Sequence, residues 1–102
     1  MHNLMVDIET MGTRAGAPVL AVGAIFFEPA TGELGSQFYQ VATLRSEMEN
    51  GAVPDADTVM WWMTQSDLAR ATLLNCPLHI NELLVNLYSF SESECNAANI
   101  QF

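Results

Sequence analysis

The segment Val19–Phe27 (VLAVGAIFF) carries no polar side chain. A strand of that composition cannot leave one face in water, so both of its faces call for cover. Upstream, His2–Ile8 (HNLMVDI) alternates instead. Leu4, Val6 and Ile8 fall on one side of a predicted strand, and Met5, Asp7 and Glu9 on the other. Thr10–Pro18 (TMGTRAGAP) between them reads as a loop, marked by Gly12, Gly16 and Pro18. Downstream, Glu28–Leu34 (EPATGEL) is a turn and Ser36–Ala42 (SQFYQVA) a third strand with mixed faces. Three strands with short connections predict an antiparallel meander.

The pattern then changes. Pro54 and Asp55 break the chain before a helical TVMWWM, with Asp57 as its expected cap. Ser66 caps a second short helix, DLARATLL. Pro77 opens a third, with Leu83, Leu84 and Leu87 on one face. The closing ANIQF reads as a fourth strand. The predicted order is βββ-α-β, in the α/β or α+β class. An apolar strand at Phe102 has no cap, turn or polar tail after it. Residues 1–102 are therefore expected to form a single domain, the N-terminal part of a longer one.

Charge restricts the functions open to this domain. Twelve acidic residues face three arginines and no lysine, for a net charge of -9. Such a surface repels nucleic acid over most of its area, so any contact with it must be local and metal-assisted. The longest apolar run, Ala17 to Phe27, is too short to span a bilayer, and no basic region precedes an apolar one at the N-terminus. A soluble, cytoplasmic protein is expected. Cys76 and Cys95 form no CxxC pair and read as buried or incidental thiols. His2 and His79 have no partner pattern.

Asp7 and Glu9 carry the chemistry. On one face of a strand their Cα atoms lie roughly 7 Å apart, so both carboxylates can converge on one divalent ion, or on two ions about 4 Å apart. Without a cation the two charges repel. Oxygen ligands with no Cys or His nearby favour Mg2+ or Mn2+. The plainer alternative is a solvated strand end. Trp61 and Trp62 point about 100° apart on a helix, which puts one in the core and leaves the other for base stacking. Arg14 is a phosphate contact or a solvated loop residue.

LMVDIETMGT followed by PVLAVGAIFFEPATGEL resembles the first motif and β-meander of the DEDD 3′–5′ exonucleases, which have a ribonuclease-H-like fold. The resemblance is closest to the ribonuclease-T-like and prophage exodeoxyribonuclease-VIII-like branch, and TVMWWMTQSDLARATL resembles the helical segment that follows there. It implies an incomplete ribonuclease-H-like fold with a mixed sheet flanked by helices. It further implies Asp7 and Glu9 as catalytic, metal-binding acids, Mg2+ or Mn2+ as cofactor, and a single-stranded DNA or RNA 3′ end as substrate. Thr10 and Met11 match positions beside the terminal nucleotide, and Arg14 and Trp62 complete the expected substrate-binding set.

The family's second motif, an Asp, and its third, a His or Tyr base near an Asp, are not found. No H-x-x-x-x-D spacing occurs, and Tyr88 with Glu92 precede ANIQF, out of the family's order. The chain alone is accordingly expected to be inactive. The alternative is a catalytically dead, prophage-like remnant that self-associates or binds a partner, as a homodimer or by a domain swap through the C-terminal strand.

Overall fold

The computed structural model describes residues 2–93. Three strands come first: β1 (Asn3–Thr10), β2 (Val19–Phe27) and β3 (Leu34–Val41). Four helices follow: α1 (Leu44–Glu49), α2 (Ala56–Met63), α3 (Asp67–Thr72) and α4 (Ile80–Ser91). The sheet order is β1-β2-β3 with both pairings antiparallel, as the short connections predict. The α/β mixture is as expected. The mixed sheet is not seen among the described residues, because ANIQF, the predicted fourth strand, lies outside them.

The core lies on one face of the sheet. Leu4, Leu20, Val22, Ala24 and Phe26 are buried there. α4 covers them with Ile80 and Leu83, both buried, and with Leu87 and Phe90. The Phe90 ring packs at 5.1 Å from Phe26 and 5.3 Å from Phe38, both tilted as aromatic quadrupoles prefer. The helix runs from Val22 and Ala42 at its start towards Leu4 and Phe26 at its end. Its inward stripe is Ile80, Leu83, Leu87 and Phe90, whereas Leu84, expected on that stripe, is 52% exposed. The inward positions are spaced three, four and three residues apart, which leaves Leu84 at the edge of the stripe.

β2 meets the demand for cover unequally. On the face turned away from α4, Ala21 is buried, but Gly23, Ile25 and Phe27 are only partly so. This second face carries Asp7 and Glu9.

α1 escapes a reading based on periodicity because it is six residues long. Side-chain chemistry holds it. The Thr43 hydroxyl caps it by accepting from Ser46 N at 3.2 Å. The buried Ser46 hydroxyl donates to Thr43 O and accepts from Ile80 N at 3.0 Å, which ties α1 to the start of α4. Glu47 Oε1 accepts from Val19 N at 2.9 Å and anchors the start of β2.

The other caps show where the expectations held. Ser66 caps α3 by accepting from Ala69 N. α2 begins one turn fraction earlier than expected, with Asp55 at the cap and Asp57 in the first turn, where its charge complements the positive helix end. His79, unassigned from the sequence, caps α4: its Nδ1 accepts from Asn81 N at 3.1 Å. Cys76 is exposed rather than buried and has a positive φ of 51°. Among the described residues no helix is long and apolar enough to cross a membrane.

Leu83→Ala empties a site that is fully buried beneath the sheet. Its expected cost is about 2–5 kcal/mol, read as a lower midpoint in urea unfolding. Val85→Ala, at a position 64% exposed on the same helix, should change stability by no more than about 0.5 kcal/mol.

Candidate active site

Asp7 pairs with Gly23, which pairs with Tyr39, and Glu9 pairs with Ala21, which pairs with Val41. The two acids therefore stand on the same side of the sheet, at its β1 edge, opposite α4. Both are exposed, and Asp7 Oδ1 also accepts from Ile8 N at 3.1 Å. The strand register shifts between Glu9 and Thr10. A bulge of this kind bends a strand and re-aims its side chains.

The loop after the bulge is fixed by hydrogen bonds. Met11 N donates to Pro18 O at 2.9 Å, which closes the loop, and Met11 O accepts from Asp55 N at 2.8 Å. Val53 N donates to Gly16 O at 3.1 Å. A Cβ at Gly12 would stand 2.7 Å from Ala17 Cβ and 3.4 Å from Asp55 Cβ, so only glycine lets the loop and the α2 cap approach this closely. These contacts bring α2 against the acidic end of β1. Trp62 completes the junction: its ring is buried and its Nε1–H donates to Thr10 O at 3.0 Å. The Thr10 hydroxyl is itself committed to Gly12 O at 2.7 Å.

A cavity of about 580 Å3 opens at this junction. Glu9 and Thr10 form one wall, and Asp57, Thr58, Trp61 and Trp62 of α2 form the other. Trp61 stands edge-to-face on Trp62 with ring centroids 5.1 Å apart, and it is 53% exposed. Thus Trp62, expected as a substrate contact, is a structural wall of the cavity, and Trp61 offers the open aromatic face. Arg14 lines a neighbouring cleft with Gly16, Gly51 and Pro54, beyond the wall formed by Gly12 and Asp55. Glu9, Thr10 and Trp62 meet at the cavity, whereas Asp7, two residues earlier on the same side of β1, does not line it; Met11 is held in the hydrogen-bonded loop and Arg14 lies apart in the neighbouring cleft.

Asp57 and Thr58 escaped the sequence reading as cavity residues. The available signal was helical spacing, since positions 57, 58, 61 and 62 share one face of α2. Tyr88 and Glu92 have a local explanation. Their side chains hydrogen-bond to each other one turn apart on α4, and this bond holds the Tyr88 phenol above its ordinary range. They lie on the opposite side of the sheet from the acids.

The donor set suits a hard cation. Asp7 and Glu9 offer exposed carboxylate oxygens, the ligand type such a cation takes. Among the described residues no His, Cys, Asp or Glu joins the pair to make a group of three.

Residues 2–102 match the family model of the 3′-5′ exoribonuclease Rv2179c-like domain. The match covers nearly all of the chain, which belongs to this family, in agreement with the resemblance to 3′–5′ exonucleases. No curated protein and no solved structure matches it.

The acids impose a field that can be measured. Partial burial, and then the charge of Glu9, push the Tyr39 phenol above its usual value of 10.0. In a Tyr88→Phe background, ultraviolet titration should show Tyr39 ionising later than a free tyrosine. Glu9→Gln removes a negative charge, so the midpoint should fall. It should stay above the free value, because burial remains.

Proposed function

We propose that this domain binds the 3′ end of a single-stranded RNA, with Asp7 and Glu9 as ligands of Mg2+ or Mn2+. The observation that carries this reading is the meeting of the acidic end of β1 with the α2 wall at one cavity. The family's exoribonuclease name favours RNA over DNA. When bound, the cation supplies activation of water and stabilisation of the leaving oxygen in phosphodiester hydrolysis. The protein's own residues do the rest. Asp7 and Glu9 fix the position of the terminal phosphodiester. Thr10 and Met11 border the terminal nucleotide, and the open face of Trp61 stacks its base against the Trp62 wall. Asp57 and Thr58 accept hydrogen bonds from ribose hydroxyls. Arg14, across the Gly12 wall, reaches a phosphate further along the strand. We place this role in the cytoplasm, where unpaired thiols such as Cys76 stay reduced.

Two acids orient one end of the reaction. Positioning the attacking water also requires the Asp and the base of the later motifs. The 102-residue chain by itself should therefore hydrolyse RNA at a rate lower by on the order of 10³-fold or more than a complete site. It should still take up Mn2+, seen as loss of the free-ion electron paramagnetic resonance signal, and Asp7→Asn should abolish that uptake. Efficient trimming of an RNA oligonucleotide that Asp7→Asn eliminates would refute the inactivity. Failure of the wild-type chain to take up Mn2+ would refute the metal site.

A further inference from the structure

Tyr39 has no role in the site as described, yet the sheet register aims it there. It lies two strands from Asp7, in the same cross-sheet row, with Gly23 between them. Two strand spacings amount to about 10 Å, and a tyrosine side chain covers most of that gap when it leans across. The ring rests over Gly23: a Cβ built there would lie 3.6 Å from Tyr39 Cδ2, at ordinary contact distance. The ring is 53% exposed, so it faces solvent as well as the strand below. Partial burial first, and then the charge of Glu9, raise the phenol's pKa, so the hydroxyl lies within electrostatic reach of Glu9.

The chemistry of the row calls for a neutral donor. Carboxylates and phosphates are both acceptors, so Asp7 and Glu9 offer no hydrogen bond to an RNA backbone. A cation held by the two acids would draw a phosphate to them without itself fixing the direction of every non-bridging oxygen. A phenol donates one hydrogen bond to such an oxygen without adding a charge that would compete with the cation.

The geometry points to Tyr39 as a substrate-positioning residue, whose phenolic O–H donates to a non-bridging oxygen of the phosphodiester lying on Asp7 and Glu9. This rests on the reading of those acids as the metal-binding end of the RNA site. It adds a contact from β3 to a site otherwise built from β1 and α2.

The test uses the whole chain and a 5′-fluorescein-labelled pentauridylate in Mn2+, with binding read by fluorescence anisotropy. Tyr39→Phe keeps the ring and removes the donor. It should weaken oligonucleotide binding about tenfold, as loss of a hydrogen bond to a charged group does. Mn2+ uptake and the melting temperature should not change. With a methylphosphonate last linkage, which keeps one non-bridging oxygen but no charge, the difference between wild type and Tyr39→Phe should shrink. Equal binding of the ordinary oligonucleotide by both proteins would overturn the role of Tyr39 and leave the metal site standing. So would a parallel loss of Mn2+ affinity or of thermal stability, since the phenol would then act on the acids or on the fold. A wild-type chain that takes up neither Mn2+ nor oligonucleotide would overturn both readings.

Discussion

The packing of α4 against β2 is the contact on which the rest of the structure depends. Val22, Ala24 and Phe26 on the strand meet Leu83, Leu87 and Phe90 on the helix, and Phe26 and Leu83 are among the most fully buried side chains described. Period-two alternation turns that contact into a constraint on everything else. Once Leu4 and Val6 join the α4 side, Asp7 and Glu9 must stand on the opposite side. A one-residue slip of β1 would push both carboxylates into the core, where they would face burial without partners. The hydrophobic contact thus sets the position of the charged one.

The second face is the less finished of the two. Ala21 and Val41 are buried beside Glu9, but Ile25 and Phe27 keep part of their surface in water. α2 reaches this side only at the Thr10 end, held there by the Met11–Asp55 hydrogen bond, the Gly12 approach and the Trp62 indole. The cavity exists because the covering stops short. An aromatic wall therefore ends beside the Glu9 carboxylate.

How much of this was legible in the sequence follows from the range of each interaction. The strands were legible because alternation in β1 and the unbroken apolar run of β2 are local patterns, and the boundaries of β2 coincide with the expected ones. Asp7 and Glu9 were legible as a same-face pair for the same reason. α1 was not, since its six residues are held by Ser46 and Glu47 bonding to segments 34 and 28 positions away. The choice between Trp61 and Trp62 turned on which indole meets Thr10 O, 52 positions distant in sequence. The lean of Tyr39 over Gly23 depends on cross-strand register, which alternation within a single strand does not specify.

Electrostatics finally decides what kind of nucleic-acid binding such a molecule can support. Proteins that grip phosphates through many lysines gain affinity from released counterions. Here there is no lysine and a net charge of -9. Arg70 on α3 is committed to Asp67 and to the carbonyl of Met63 at the end of α2, and Arg14 lines the cleft beside the cavity. On the proposed reading, an anionic strand would be held by contacts that do not depend on a basic surface: a cation on two carboxylates, stacking on Trp61, and a neutral phenol donor. Each acts within a few ångströms and none attracts the strand from afar. Affinity built this way would be confined to the strand end seated in the cavity, and the rest of the acidic surface would repel the polymer leading away from it. On that reading the combination would favour grip on a terminus over grip on an internal segment, and the acidic charge balance would act as a source of end selectivity.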